Sequence, residues 1–358
     1  MTQRYYMTVV PGLAEVAVAE VRERLGVAAR PAGRARHHDL VELDWPGPAA
    51  ELLTVRTVED VFVVLGSLGL SGRVSDTKAV AEAPWWGGRL RQALDGWAAV
   101  RRRPLVKRLV WRVVVQADDV AWRQYRRQEL TLAAERGLLN AGPSWRLTRD
   151  EAPLEVWMWQ IGRELRAALR LTDNDDRQHG GREVERAAAL RPSIAAAMVY
   201  LSRPADDDVV LDPMCGTGTL LLERAVSGRY ERLLGGDNDA VAVAATLANF
   251  GPRHQPRDIV RWDARSLPLA DGLATVLLCN LPWGRQVGEK AAMPELYAAL
   301  VPEFARAVRP GGRLALLTSE WDVLKDALRR SPALRLERTL GNVEVLGRRA
   351  DLFVLSRV

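Results

Sequence analysis

The chain has 358 residues, 48% apolar and 27% charged, with a formal net charge of +6. This composition describes a globular protein with room for two or three domains, each able to bury its own core, and excludes collagen-like or low-complexity chains. Its two cysteines, Cys215 and Cys279, and four scattered histidines, His37, His38, His179 and His254, offer neither a disulfide framework nor a metal-ligand cluster, so no metal is expected.

No run of about 20 apolar residues is long enough to span a bilayer, and the opening MTQRYYMTVV lacks the apolar region of a signal peptide. The expectation is a cytoplasmic protein without a membrane partner. The positive excess is mostly arginine, which suits phosphate and base stacking and permits a nucleic-acid partner without requiring one.

In chain order, residues 5–10 read as a strand, Pro11-Gly12 as a break, 13–25 as a helix and 39–43 as a return strand. Residues 51–55 read as helical and 61–65 as a strand, giving a small α+β unit. Trp85, Trp86 and Trp97 then accompany a helix over 88–100, followed by the basic run 101–108 and a strand over 109–116. Arg123, Arg126 and Arg127 are expected on a helix, and 155–160 as a strand. Basic side chains interleaved with Trp111, Trp122 and Tyr125 suit an RNA-binding face, with a solvated face beside core aromatics as the plain alternative. Residues 172–181 are polar and glycine-ended, a linker by composition, and a helix is expected over 192–202.

Residues 209–223, VVLDPMCGTGTLLLE, read as a buried strand ending at Asp212, a glycine loop, and a helix opening near Thr217. Gly216 and Gly218 permit positive φ and close approach of a ligand, and the N–H groups of a helix start attract a carboxylate or phosphate. Leu221 stands where a dinucleotide fingerprint has its third glycine, which weakens a nicotinamide reading. An acid that can receive an ammonium beside a loop that can receive a carboxylate suits the methionine end of S-adenosylmethionine. The next strand ends at Asp237, placed for a ribose diol, and the one after at Asp263, placed for an adenine amino group; singly, each acid is equally a solvated loop residue or helix cap. These positions give Asp212, Met214, Cys215, Gly216, Thr217, Gly218, Thr219, Asp237, Asn238, Asp263, Ala264 and Asn280 as candidate cofactor contacts.

A fourth strand, 274–279, delivers Asn280-Leu281-Pro282-Trp283-Gly284 to the same edge. The lone pair of a nucleobase amine is delocalised into the ring. Two acceptors, the Asn280 side-chain oxygen and the Leu281 carbonyl, would hold both N–H bonds and turn that lone pair toward a methyl donor. Pro282 holds Leu281 extended and so aims its carbonyl, and Trp283 offers a face for a base drawn from its stack. Asn280, Leu281, Pro282 and Trp283 are therefore the candidate catalytic residues, with an ordinary turn as the alternative. Arg285 and Lys290, just beyond, are candidates for RNA phosphates or simply for solvent.

DPMCGTGTLLLE followed by NLPWG resembles the class I methyltransferases that modify amino groups with an (Asn/Asp)-Pro-Pro-aromatic loop, in particular the THUMP-domain RNA guanine-N2 methyltransferases. Leu281 replaces the first proline of the commoner loop, which keeps the backbone acceptor but gives up some rigidity. The resemblance implies an α/β fold: a C-terminal doubly wound Rossmann-like methyltransferase domain over 187–358, a ferredoxin-like domain over 1–66, a THUMP-type RNA-binding domain over 67–171 and a linker over 172–186. It also nominates Arg191 and Pro192 beside the methionine end of the cofactor. The expected activity is S-adenosylmethionine-dependent methylation of guanosine N2 in RNA, with tRNA the expected partner. Alternatives are ribosomal RNA, DNA amino methylation by the same loop, or a non-catalytic RNA-binding protein on this fold; Cys279 leaves a covalent mechanism open.

Overall fold

The computed structural model describes residues 2–180, 183–184, 186, 189–284 and 290–358, and the chain divides into two compact units, Met1–Arg177 and Gln178–Val358. Arg285 lies outside the described residues. No helix among the described residues is long and apolar enough to cross a membrane.

The N-terminal unit runs β1 (Gln3–Val9), α1 (Ala14–Leu25), β2 (Ala29–Ala35), β3 (His38–Trp45), β4 (Asp60–Gly69), α2 (Ser75–Ala81), α3 (Gly88–Arg101), β5 (Val110–Gln116), α4 (Arg127–Ala141), β6 (Arg146–Leu147), β7 (Leu154–Ile161), β8 (Glu164–Arg170) and α5 (Asn174–Arg177). All eight strands form one sheet, in the order β2-β3-β1-β4-β8-β7-β5-β6. Segments 1–66 and 67–171 are joined within it through β4 and β8. Where these strands pair, Arg170 donates to Asp60 and to Glu155, a buried ion-pair set that also takes in Arg177.

The basic groups expected on one face take different positions. Arg123 is buried, donating to the Tyr125 carbonyl and to Gln160, because a guanidinium inside the protein needs its donors filled. Arg123 and Arg126 precede α4, and only Arg127 is on it. Trp111 and Tyr125 are core residues, while Trp122 is half-buried with the Arg163 guanidinium over its ring at 4.4 Å. Arg101 is held by Asp173 and Asp176, so residues 173–176 of the expected linker are tied to α3. Residues 102–108 stay exposed.

The C-terminal unit runs α6 (Pro192–Leu201), β9 (Val209–Asp212), α7 (Thr219–Ser227), β10 (Arg232–Asp237), α8 (Ala240–Phe250), β11 (Arg257–Arg261), β12 (Ala274–Asn280), α9 (Met293–Ala307), β13 (Val308–Thr318), α10 (Trp321–Arg329), β14 (Leu334–Val345) and β15 (Arg348–Arg357). Its sheet has the order β11-β10-β9-β12-β13-β15-β14. The first five strands are parallel and β15 pairs antiparallel with β13 and β14. β9 and β12 are buried continuous apolar runs, the signature of a sheet covered on both faces. Leu211, Leu277 and Cys279 pack with Tyr297, Leu300 and Phe304 of α9 in one core. The 309–312 Arg-Pro-Gly-Gly segment lies inside β13, where a register shift between Ala274 and Val276 of β12 absorbs it.

Gly236 in β10 lies beneath the indole of Trp262, whose ring would stand 2.3 Å from an added Cβ. Gly236→Ala is therefore expected to cost about 1–3 kcal/mol of stability, measured as a lower urea midpoint; an unchanged midpoint would contradict this packing.

Candidate methyl-donor and amine-presenting site

The sheet order reverses direction between β9 and β12, whose connections leave toward opposite sides, and a crevice opens at the carboxyl ends of strands at such a point. Asp212 is the last residue of β9 and Asn280 the last of β12, the two strands paired through Leu211 and Leu277. Asp237 ends β10. The fold thus brings three of the sequence-nominated side chains to one edge.

The glycine loop is held from several sides. Cys215 N–H donates to the Gly236 carbonyl at 2.9 Å, and Gly218 N–H to the Cys215 carbonyl at 2.7 Å. Gly216 N–H donates to Asp237 at 3.0 Å, and its carbonyl accepts from the Thr246 hydroxyl at 2.9 Å. Asn249 donates to the Thr217 carbonyl, and the Trp262 indole to that of Pro213. Gly216 and Gly218 have φ of +55° and +80°, the conformations for which glycine was expected. A Cβ on Gly216 would meet no atom within 4 Å, so its backbone faces open space; one on Gly218 would meet Thr246 at 2.8 Å. α7 opens at Thr219, with Thr217 and Thr219 buried in the turn and Met214 half-buried.

Asp212 is 1% exposed, and its carboxylate accepts from Met214 N–H at 3.3 Å. Burial lifts its pKa to about 8, against the Met214 hydrogen bond and helped by the charge of Asp237. A carboxyl in that state suits a cationic partner. Asp237 accepts from the Gly216 and Asp239 N–H groups, and Asn238 is exposed beside it, its carbonyl taking Arg261. Asp263, expected to face an adenine amino group, instead accepts from Arg265 through Nε at 3.0 Å and Nη2 at 2.6 Å, which holds its carboxyl below the usual range. Ala264 next to it is buried. Arg191 caps α6, and Pro192 is buried in that helix's first turn, which packs on α7.

The loop after β12 is anchored twice. Leu281 N–H donates to the Leu317 carbonyl of β13 at 3.0 Å, and the buried Tyr297 hydroxyl donates to the Pro282 carbonyl at 2.9 Å, 2.7 Å from the Thr318 hydroxyl. Gly284, at φ +67°, closes the segment against the backbone of Lys290, a residue that is itself exposed. Sequence reasoning missed Tyr297 and Thr318, whose only signal was a tyrosine on the core face of an apolar helix. Asn280 Oδ1 is buried without a hydrogen-bond partner among the described residues. Cys279 is fully buried and its thiol is pushed well up by burial, as is that of Cys215, so neither is a nucleophile at neutral pH.

Comparison with known proteins agrees with this geometry. Residues 179–349 match the UPF0020 family model, described as an RMKL-like methyltransferase domain. The tRNA (guanine(6)-N2)-methyltransferase of Thermus thermophilus is 34% identical over 175 residues, 48% of this chain and 50% of that protein. The tRNA (guanine(6)-N(2))-methyltransferase THUMP3 of Bos taurus is 33% identical over 153 residues, 39% of this chain and 30% of that protein. The chain thus spans half or less of the length of these curated relatives. Among solved structures, TrmN from Thermus thermophilus superposes with a TM-score of 0.78 at 22% identity, covering 100% of both chains. A possible methylase from Clostridium difficile gives 0.75 at 14% identity, covering 100% of this chain and 99% of its own. Both show the fold, an α/β protein with a Rossmann-like sheet. The UPF0020 match over residues 179–349, just under half of the chain, therefore marks what that stretch is similar to: an RMKL-like methyltransferase domain.

Proposed function

We propose that the protein transfers the methyl group of S-adenosylmethionine to the exocyclic N2 of a guanosine in tRNA, and, from the names of its relatives, that the target is the guanosine at position 6. The observation that carries this reading is the meeting of two loops, the glycine loop after Asp212 and the Asn280 loop, at the carboxyl ends of paired strands. The donor site fits: Asp212 is a buried carboxyl in need of a cation, Gly216 leaves its backbone open, and Asp237 borders the same loop. Asp212 would hold the donor's ammonium end, the N–H groups at the start of α7 its carboxylate, and Asp237 its ribose. Asp263 would take the adenine amino group once Arg265 swings aside. Bound there, S-adenosylmethionine supplies an electrophilic methyl group.

The chain's own contribution is positioning and desolvation. Asn280 Oδ1 and the Leu281 carbonyl accept the two N2–H bonds and turn the nitrogen lone pair out of the ring's conjugation. The anchors on Leu317 and Tyr297 hold both acceptors in place. An amide side chain is no base, so the N2 proton passes to water after transfer. In the N-terminal unit, the exposed basic segment 102–108 carries RNA phosphates, with segments 1–66 and 67–171 as ferredoxin-like and THUMP-type parts around one sheet. The reaction belongs in the cytoplasm.

Asn280→Ala is expected to lower single-turnover methylation of tRNA by about 100-fold or more while leaving donor affinity within about twofold; normal turnover would contradict the amine-orienting role. Asp212 is mostly protonated at pH 7, and a cation favours its ionised form, so donor binding should release a proton. Calorimetry at pH 7 in two buffers of different ionisation enthalpy should read about one proton released per donor bound, and none from Asp212→Asn; an equal release from both would remove Asp212 from the site.

A further inference from the structure

The loop after β12 carries a second buried polar atom without a partner. In the C-terminal unit, among the described residues, the buried side-chain atoms lacking a hydrogen bond are Arg224 Nε, Asn280 Oδ1, Trp283 Nε1, Ser331 Oγ and Arg357 Nε. Arg224 and Arg357 are engaged through their other nitrogens, Arg224 by Asp208 and several carbonyls and Arg357 by the Val308 carbonyl. Asn280 and Trp283 are different. They lie three positions apart in one anchored segment, and they are of opposite kind: an amide oxygen that accepts and an indole N–H that donates.

Buried indole N–H groups usually find an acceptor; those of Trp85, Trp111 and Trp159 also lack one among the described residues, but they are enclosed in the core of the N-terminal unit, whereas Trp283 is half-buried beside Asn280. The segment has little freedom to supply it by turning. Leu281 N–H is fixed to Leu317, the Pro282 carbonyl to Tyr297, and Gly284 has its backbone against Lys290. Among the described residues none supplies the acceptor, and one carried by what the loop receives would fill the need. On the reading of the previous subsection, that is the N2 amine of a guanine. N2 has two ring neighbours: N1, which carries a hydrogen and donates, and N3, which accepts. A donor standing beside the acceptor for N2–H is matched by N3 and opposed by N1–H.

We propose that Trp283 is a base-reading residue: its indole N–H donates to guanine N3 while Asn280 Oδ1 accepts from N2–H. The base is then presented by its sugar edge, the N2/N3 side, with N1–H turned away from the loop. Trp283, half-buried at the site, then meets the base edge-on through its indole N–H, in place of the stacking face that the sequence led us to expect. This rests on the guanine-N2 reading and goes beyond it, because it assigns the indole N–H a bond that phenylalanine could not make.

The test uses the full chain and two ligated tRNAs carrying guanosine or 3-deazaguanosine at position 6, the position named for the relatives. The deaza base keeps N2 and replaces N3 by C–H. Single-turnover transfer is followed by nucleoside mass spectrometry. Wild-type protein is expected to methylate the deaza RNA about tenfold more slowly, Trp283→Phe to be slowed by a similar factor on the guanosine RNA, and the variant to distinguish the two RNAs no further. Wild-type protein that treats both RNAs alike overturns the proposal without any variant having to fold. A Trp283→Phe protein that still discriminates as strongly as wild type overturns it too. If wild-type protein forms no N2-methylguanosine on the guanosine RNA, the underlying reading fails, and this one with it.

Discussion

Asp212 sits 1% exposed at the tip of β9, near Asp237, where burial lifts its carboxyl to about 8. Holding such a group costs stability unless a cation arrives, so natural chains keep one chiefly where function needs it. The surroundings are arranged to leave that carboxyl in place. Cys215 N–H and Gly218 N–H close the glycine turn, Thr246, Asn249 and Trp262 fill its carbonyls, and Gly216 leaves its outer side open. The loop's polar groups are spent on its own shape, while among the described residues the Asp212 carboxylate accepts the long Met214 N–H bond at 3.3 Å.

Across β9 and β12 the opposite arrangement holds. There the backbone of residues 281–282 is tied to β13 and Tyr297, and the groups without partners among the described residues are side chains, Asn280 Oδ1 and Trp283 Nε1. A rigid backbone with unfilled side-chain partners is what orientation of a weak nucleophile requires, since a small displacement of either acceptor would let the amine lone pair rejoin the ring. Tyr297 matters for that reason. It reaches the loop from a helix otherwise occupied with the core, coupling the packing of α9 to the aim of the Leu281 carbonyl.

Much of this was legible in the residues. Buried parallel strands write themselves as unbroken apolar runs, so β9 and β10 with the acids at their ends, and β12 with Asn280 at its end, could be read directly, and positive φ at Gly216 and Gly218 followed from the loop's composition. β2 was not legible: its Ala-Arg-Pro-Ala-Gly-Arg-Ala sequence is mostly exposed and has no period, and only pairing with β3 makes it a strand. Side-chain partnerships were equally hidden. Nothing local marks Arg123 as buried or Arg265 as the partner of Asp263, because a charge run reads the same whether its neighbours are solvent or a carboxylate. The Asp60, Glu155 and Arg170 set joins β4 to the β7–β8 hairpin, far along the chain, and that long-range pairing merges the two expected N-terminal segments into one sheet.

The central claim is that this crevice methylates a guanine amine. It is tested most directly by nucleoside mass spectrometry of tRNA purified from cells with and without the gene. The account predicts that the N2-methylguanosine signal falls when the gene is removed and returns with a wild-type copy. An unchanged N2-methylguanosine signal, together with loss of a different methylated nucleoside, would contradict it.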